Sequence, residues 1–384
     1  MRVLISTRPG AGHVGPLIPF AHALLRNNDE VIVTAPAQAA PMIAEAGLDH
    51  HQIPDPPAEQ RDPIFAKAKT MKDPDAANAL VGADLFVRVD TRAGYPHMVA
   101  AIERLQPDVM LYDIADFAAG LAAEATALPA VSVSITQGIH MQRLTEPLAE
   151  ALDEVRAEIG LDPDPRLDRL AATPCFSLIP HALEEPETAG IDRILRFRAT
   201  EPHEPRPLPD WWRNDDWPLV YLTFGTVVPT IGTYPKLYRD AIDALSVLPI
   251  RLLVTVGRDQ DPAALGPVAP NVHVARWIPQ ADILPHADVL ICHGGSGTVT
   301  GTLAAGVPAV VVPFIADQYH NARRVSELGA GVMLEAEDIA RLPDAVRSLL
   351  ADGSYREAAG RVAEEMRELP PVDTATAILR ALAA

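Results

Sequence analysis

The sequence has few cysteines, and they are not spaced to bind a metal. It contains two among 384 residues, Cys175 and Cys292, and each lies in an apolar stretch typical of a strand. We therefore expect two buried thiols rather than a disulfide. No pair of cysteines stands at the short spacing that zinc sites use, so a zinc finger or ribbon is excluded.

Basic residues are also scarce. The chain has 32 Lys and Arg against 51 Asp and Glu, a formal net charge of −19. The acidic residues are spread along the whole chain, so there is no basic footprint for a phosphate backbone. We expect neither nucleic acid nor an anionic membrane surface as a partner.

Long apolar runs and repeats are missing too. The first apolar stretch, residues 3–5, is too short for the core of a signal peptide, and the longest later one, around 307–315, is too short to cross a bilayer. These features predict a cytoplasmic protein. No fixed short period and no low-complexity tract occurs, which argues against a solenoid or a propeller.

The apolar content is sufficient for two domains. Hydrophobic residues make up 48% of the chain, and its length exceeds that of most single domains. Four prolines between Glu201 and Asp210 predict an extended linker over 201–216. We predict a first domain over 1–200, a second over 217–369, and a C-terminal helix within 370–384 that packs back on the first.

Strands and helices alternate in both halves. Strands are predicted over 2–6, 30–35, 108–112, 130–135, 219–224, 250–256, 289–292 and 309–313, with helices over 14–27, 117–126, 234–246, 297–305 and 374–383. This order favours parallel sheets, so the predicted fold is α/β, with two Rossmann-like domains facing a cleft. Residues 55–95 fit neither period and are predicted to be an irregular insertion of binding loops or lids.

A glycine-rich turn in the second half suits an anion. The stretch from Cys292 to Thr298 reads CHGGSGT and lies between an apolar strand and a helix. Glycines let backbone N–H groups approach phosphate oxygens, and the helix N-terminus adds a positive dipole end. His293, Ser296 and Thr298 add donors. The structural alternative is a tight turn around a histidine with no ligand.

Two neighbouring motifs suit the rest of a nucleotide sugar. Trp277 stands beside a proline-fixed turn and can present its face to a flat ring, although a core tryptophan explains it equally well. Asp317 and Gln318 combine a carboxylate with an amide, which together can bind vicinal sugar hydroxyls. The alternative for Asp317 is a helix N-cap.

His13 is the candidate general base. It follows Gly10-Ala11-Gly12 in the loop that leaves the first strand, where open α/β sheets place ligands. A histidine can take the proton of an attacking hydroxyl, and Asp113, which ends another strand, is the candidate carboxylate partner. Both residues also have structural alternatives. The glycine pattern matches a dinucleotide fingerprint imperfectly, and the second strand ends without an acid, so a dehydrogenase is disfavoured.

Together these motifs resemble the family 1 glycosyltransferases of the GT-B fold, particularly the bacterial enzymes that decorate macrolides, aromatic polyketides, enediynes and glycopeptides. The resemblance covers essentially the full length. The matching segments are Gly12-His13-Val14, Pro16-Leu17, Tyr112-Asp113, Thr223-Phe224-Gly225-Thr226, Trp277-Ile278-Pro279-Gln280, His293 to Thr298, and Pro313 through Asp317-Gln318.

The resemblance implies an inverting, metal-independent glycosyltransferase that moves a sugar from a UDP- or TDP-sugar to a hydroxyl of a small apolar natural product. It implies no cofactor beyond the nucleotide-sugar cosubstrate, and it makes His13 and Asp113 catalytic. The implied donor-binding residues are Thr226, Trp277, Ile278, Gln280, His293, Gly295, Ser296, Gly297, Thr298, Asp317 and Gln318.

The acceptor side matches no pattern, so its residues are guesses. We expect residues 55–95 to contribute, and a wall formed by Phe86, Phe117, Ile135, His140 and Met141. The sequence allows a homodimer without indicating one. It indicates neither the acceptor nor the sugar.

Three other functions share these features. A noncatalytic auxiliary protein would keep the fold, but it would have no need of His13 together with a complete donor motif. A nucleotide-sugar epimerase needs no acceptor, which would leave the first glycine-histidine motif without a purpose. A lipid-linked sugar transferase would be expected to carry a basic or apolar membrane-facing patch, whereas the first domain is acidic.

Overall fold

A computed structural model describes residues 1–189, 193–199 and 217–384, and these group into two compact units. Unit 1 contains the described residues of 1–179, 186–199 and 369–384, and unit 2 contains 180–185 and those of 217–368. Each unit is a parallel sheet with helices, which confirms the predicted α/β class with two parallel-sheet domains. The predicted linker, 201–216, lies outside the described residues.

In the sheet of unit 1, the first strand lies inside the sheet, next to the central strand β4. Its strands are β1 Arg2–Ser6, β2 Glu30–Pro36, β3 Asp49–Ile53, β4 Val109–Asp113, β5 Ala130–Ser134, β6 Cys175–Ser177 and β7 Ile194–Arg196, in the order β3-β2-β1-β4-β5-β6-β7. β1 pairs with β4 in a parallel register that sets Ser6 opposite Tyr112. The loops that leave these two strands therefore start side by side at the carboxyl edge of the sheet.

Helices cover the unit 1 sheet. They are α1 Ala11–Val14, α2 Ile18–Arg26, α3 Ala40–Glu45, α4 Ala58–Thr70, α5 Pro74–Leu80, α6 Arg92–Leu105, α7 Phe117–Ala125, α8 Gly138–Glu158, α9 Asp168–Ala172 and α10 Pro186–Ala189. A 3₁₀ turn, Gly15–Leu17, joins α1 to α2. Gly10, just before α1, has a φ of 119°, a backbone conformation that would be strained in a residue with a side chain.

The prediction of an irregular insertion over 55–95 is wrong. That stretch forms α4, α5 and a π-helical segment, Val81–Thr91, that continues into α6. No residue of α4 is buried, and Pro63 lies inside it. Because α4 buries no apolar face, its sequence has no apolar residues repeating at the helical spacing, and this pattern is the one from which a helix is predicted.

Unit 2 repeats the arrangement with six strands among the described residues. These are β8 Leu219–Thr223, β9 Arg251–Thr255, β10 Val272–Ala275, β11 Val289–Cys292, β12 Ala309–Val311 and β13 Gly331–Met333, in the order β10-β9-β8-β11-β12-β13. β8 and β11 are parallel, with Thr223 opposite Cys292. Their following loops therefore begin at neighbouring points, as in unit 1.

The helices of unit 2 are α11 Lys236–Leu245, α12 Gln280–Ile283, α13 Ser296–Ala304, α14 Gln318–Glu327, α15 Leu342–Ala351 and α16 Ser354–Glu368. Residues 180–185 belong to this unit, whereas the sequence predicts them in the first domain. The reason is local hydrogen bonding: Arg324 Nε donates to the Ala182 carbonyl at 2.9 Å, and Arg323 pairs with Glu185 at 2.6 Å.

The last helix, α17 Ala375–Leu382, belongs to unit 1. Val372, Ala375 and Leu379 are buried in the same apolar cluster as Phe20 of α2. Arg380 donates to both carboxylate oxygens of the buried Asp29 at 3.0 Å. The C-terminal segment therefore completes the core of unit 1.

The described residues also include shorter 3₁₀ turns, at Ala37–Ala39, His181–Leu183, Val228–Ile231, Pro262–Leu265, Leu284–His286, Ala336–Arg341 and Val372–Thr374. Cys175 and Cys292 are free and buried, as predicted. Among the described helices, none combines the length and the apolar character that a membrane crossing needs.

Candidate active site

A short polar contact at the carboxyl edge of the unit 1 sheet joins His13 to Asp113. His13 Nδ1 lies 2.6 Å from Asp113 Oδ2, and the Asp113 side chain is fully buried. Asp113 Oδ1 accepts the backbone N–H of Ala115 at 2.9 Å. A carboxylate at this distance fixes the hydrogen on Nδ1, which leaves the lone pair on Nε2. About a fifth of the His13 side chain is exposed, so a ligand can reach it.

A second carboxylate, Asp116, lies in the loop that follows β4 and is hydrogen-bonded to residues of β1 and α7. Ser6 Oγ donates to Asp116 Oδ2 at 2.6 Å, and the other Asp116 oxygen caps α7 through the N–H of Ala119 at 3.3 Å. Burial raises the pKa of the Asp116 carboxyl. Asp116 thus ties β1 to the start of α7.

Beside His13 stands an aromatic ring from the π-helical segment. The Phe86 ring meets the His13 imidazole edge-on, with centroids 6.1 Å apart. The Arg8 guanidinium covers a face of Phe86 at 3.6 Å from its centroid, and it pairs with Asp90 at 2.5 Å. Arg8, Phe86 and Asp90 thus form a wall next to the candidate base.

The other residues predicted for an acceptor wall are spread more widely. Phe86 and Met141 pack on one apolar cluster in which Phe117 is a buried member. Phe117, 6% exposed, also lines a cavity of about 390 Å³ with Tyr112 and charged residues that include Glu124 and Asp164. Ile135 follows β5 and His140 lies in the first turn of α8; both are half-buried.

His293 occupies a slot between two glycines in unit 2. A Cβ on Gly225 would lie 2.5 Å from His293 Cε1, and one on Gly295 would lie 2.5 Å from His293 Nε2. Burial lowers the pKa of His293 to about 4, although Asp317 opposes the shift. The imidazole is therefore neutral at physiological pH. Its Nδ1 is buried and has no hydrogen-bond partner among the described residues.

The helix that follows this slot, α13, begins with backbone N–H groups that have no partner within the helix. The N–H of Val299 makes a bond to Gly295 O at 3.0 Å, so those of Ser296, Gly297 and Thr298 point out of the N-terminus of α13. Nothing lies within 4 Å of a Cβ built on Gly297. Open space beside the first turn of a nine-residue helix is suited to an anion.

Asp317 and Ser296 are bonded to each other. Ser296 Oγ donates to Asp317 Oδ2 at 2.6 Å, and Asn321 Nδ2 donates to Asp317 Oδ2 at 3.2 Å and to the Gly294 carbonyl at 2.8 Å. The hydroxyl hydrogen of Ser296 is thus used within the protein. In this arrangement the backbone N–H groups, rather than that hydroxyl, are left for an anion.

Gln318 is buried and braces the preceding loop. Its Oε1 accepts the N–H groups of Phe314 at 2.9 Å and Ile315 at 3.2 Å, so both lone pairs are used and only the amide N–H groups can serve a ligand. Between these residues Ala316 has a φ of 57°. Left-handed backbone at a residue other than glycine is often found at functional sites.

Trp277 is exposed rather than part of the core, with 41% of its surface accessible. One face is covered by the Arg258 guanidinium, 3.7 Å from the ring centroid. Ile278 follows it, half-buried, and Gln280 Nε2 lies 3.4 Å from Thr298 Oγ1, which links α12 to α13. Thr226 is exposed and follows Gly225 in the loop after β8. The predicted donor residues therefore all lie in the loops after β8, β10, β11 and β12 or in the first turns of the helices that follow these loops.

The sequence did not indicate several residues of these sites. Arg8 and Asp90 were missed because they are far apart in the chain and form no motif. Asn321 had a weak signal, since it stands four residues after Asp317 and one helical turn brings such side chains together. Arg258 follows Gly257 at a strand end, but its stack on Trp277 requires the tertiary structure.

Known proteins provide an independent comparison. Residues 239–382 match the family described as erythromycin biosynthesis protein CIII-like, C-terminal domain. L-demethylnoviosyl transferase from Streptomyces niveus is 30% identical over 380 residues, which cover 96% of this chain and 95% of that protein.

Two solved structures share the fold. The calicheamicin glycosyltransferase CalG4 has a TM-score of 0.82 at 24% identity, covering 99% of this chain and 98% of its own. The glycosyltransferase VinC, in complex with dTDP, has a TM-score of 0.78 at 24% identity, with coverage of 100% and 99%.

The relative that matches over nearly its whole length and the shared fold both agree with the motifs at the carboxyl edges of the two sheets. They confirm the resemblance drawn from the sequence. This chain belongs to the family 1 glycosyltransferases of the GT-B fold, which use nucleotide-sugar donors, and it is a glycosyltransferase.

Proposed function

We propose that this enzyme is an inverting, metal-independent glycosyltransferase that moves a sugar from a UDP- or TDP-sugar to a hydroxyl of a small apolar natural product. Unit 1 supplies the acceptor site and the general base, and unit 2 supplies the donor site. The observation that carries the proposal is the 2.6 Å contact between His13 Nδ1 and the buried Asp113 carboxylate.

In this mechanism the acceptor O–H bond breaks as His13 Nε2 takes the proton. The acceptor oxygen forms a bond to the anomeric carbon while the bond from that carbon to the β-phosphate oxygen breaks. Attack opposite the leaving diphosphate inverts the anomeric configuration. Asp113 stabilises the imidazolium that forms, and the proton then passes to solvent.

The donor site is suited to stabilise a leaving diphosphate without a metal. The N–H groups of Ser296, Gly297 and Thr298 and the positive end of α13 face the open space in front of Gly297. The low pKa of His293 keeps its ring neutral, so it would offer a hydrogen bond from one ring nitrogen rather than a charge.

The exposed face of Trp277 is suited to stack on the nucleotide base. VinC, which shares the fold, was solved in complex with dTDP, and this supports a thymidine nucleotide as one choice of donor. Asp317 and the amide N–H groups of Gln318 would contact the sugar. Phe86 and Met141 would line the acceptor site beside His13, and Phe117, Ile135 and His140 remain predictions for the same wall.

The donor half is tested with a thermal-shift panel of UDP and TDP, each with magnesium and with a chelator. We expect one nucleotide to raise the melting temperature equally under both conditions. A shift that requires magnesium would contradict metal independence, and no shift with either nucleotide would contradict the donor site.

The catalytic half is tested with His13→Ala. The variant should bind nucleotide like the wild type, while turnover falls by about 100-fold or more because the base is lost. Equal turnover in both proteins would contradict the role of His13. If the wild type binds nucleotide but transfers no sugar to any hydroxyl, the chain is an auxiliary protein.

A further inference from the structure

The ion pair between Arg8 and Asp90 is not used by the mechanism above. It is largely buried, with 12% and 11% of the two side chains exposed. Burying two charges costs more than their attraction returns unless further hydrogen bonds satisfy them. A buried pair of this kind calls for an explanation.

This pair is incompletely satisfied. Within the described part of the chain, neither Arg8 Nε nor Asp90 Oδ1 has a hydrogen-bond partner, although both atoms are buried. Burial raises the pKa of the Asp90 carboxyl, and Arg8 beside it opposes the shift. One unused donor and one unused acceptor therefore belong to the same pair, and leaving such atoms unpaired is costly.

The pair stands beside the candidate base. Arg8 stacks on Phe86, and Phe86 contacts the His13 ring. Asp90 is also close enough to feel the charge of His13. The candidate base and the ion pair are therefore separated by a single aromatic ring.

The segment that carries Phe86 and Asp90 is itself unusual. Residues Val81–Thr91 are π-helical. This geometry is rare in proteins, and where it occurs it is often at a functional site. Arg88 and Glu154 hold this segment against α8 through two bonds of 2.7 Å. The wide turns thus present Asp90 to Arg8 from a fixed position.

From these contacts we propose that Arg8 and Asp90 recognise a second hydroxyl of the acceptor, one that lies across the Phe86 ring from the reacting hydroxyl. A hydroxyl fits because it both accepts from Arg8 Nε and donates to Asp90 Oδ1. The preferred acceptors are then apolar molecules with two nearby hydroxyls. This inference rests on the proposed function.

The test compares acceptors that differ by one group. The acceptors are naphthol, the dihydroxynaphthalenes and their monomethyl ethers, together with the same series built on anthraquinone. The donor is UDP-glucose or TDP-glucose, according to which nucleotide binds in the thermal-shift test. For the wild type, kcat/KM should be about tenfold or more higher for the best diol than for its mono-hydroxyl partner. The methyl ether should also be poor, because it accepts a hydrogen bond but cannot donate to Asp90.

The variant is Arg8→Met with Asp90→Leu, which removes both charges together because one alone would leave an unpaired buried charge. The diol preference should fall to about one, and the melting temperature should stay equal or rise, since two unsatisfied atoms are removed. Asp84→Asn is the matched control. It breaks a more exposed pair with Arg88 on the same segment and should keep the preference.

The outcomes separate the inference from the function. If naphthols or anthraquinones are glycosylated but the diol ratio is the same in the wild type and the double variant, the recognition role is wrong. A double variant that melts well below the wild type would show a structural pair and would also overturn it. If none of these hydroxyl acceptors is glycosylated, the proposed function fails, and this inference fails with it.

Discussion

The neutral, buried His293 should make the enzyme lose stability in mild acid. Its pKa is about 4 in the folded chain, against 6.5 for a free histidine. As the pH falls below 6.5 the unfolded chain takes up a proton at this ring, while the folded chain does so only near pH 4. The free energy of unfolding therefore decreases across that window.

The size of the effect follows from the two pKa values. A tenfold difference in proton affinity corresponds to about 1.4 kcal/mol, so this ring alone should remove about 3 kcal/mol between neutral pH and pH 4. That is a large share of the stability of a typical domain, which is about 5–15 kcal/mol.

The assay is urea unfolding of the wild type and His293→Gln at neutral pH and at about pH 4, without nucleotide, because a ligand would add its own linkage. The glutamine cannot titrate, so the variant should lose about 3 kcal/mol less than the wild type over this range. His97→Gln, a change at an exposed histidine, is the control and should follow the wild type. Parallel losses in all three proteins would refute the explanation by burial.

Three further outcomes are expected. Asp113→Asn should lower kcat by about 10²–10⁴-fold in a steady-state assay, with little change in donor KM, because an amide favours the wrong tautomer of the imidazole that we propose as the base; an unchanged kcat would count against the pair. Gly295→Ala should lower the free energy of unfolding by about 1–3 kcal/mol in urea, since its Cβ meets the neighbouring imidazole. Gly297→Ala, whose Cβ meets nothing within 4 Å, should leave stability within about 0.5 kcal/mol but weaken nucleotide binding by calorimetry; equal stability losses would contradict this. Leu379→Ala should cost about 2–5 kcal/mol of unfolding free energy, while Leu382→Ala, at a position 36% exposed, should cost about 0.5 kcal/mol or less, and similar costs would show that the last helix is not part of the core.

The sequence predicted the parts of the fold in which local pattern and tertiary role coincide. β1 and β4 are buried apolar runs, so they were visible as strands, and the rule that parallel strands share a carboxyl edge brought His13 and Asp113 together. β3 was missed because its residues are Asp, His, His, Gln and Ile. It lies at the edge of the sheet and keeps most of these side chains partly exposed, so no apolar run marks it.

The residues of the candidate site likewise fall into those that the sequence indicates and those that it does not. The proposed donor residues stand in short glycine-rich or strand-end motifs, where spacing along the chain reflects spacing in the structure. The Arg8–Asp90 pair depends on where the helices of 58–105 pack, and these helices gave no clear period. Its unsatisfied atoms can be seen only when burial and partners are known.

The π-helical segment also bears on how such an enzyme could change its acceptor. Wide turns hold more residues per turn than an α-helix, so the loss of one residue within Val81–Thr91 could be absorbed by tightening to α-helical geometry. Each residue of an α-helix turns the chain by about 100°, so one deletion before Phe86 would swing that ring away from His13. On the proposed function, in which Phe86 lines the acceptor site, single-codon deletions here are therefore a short evolutionary route to new acceptors.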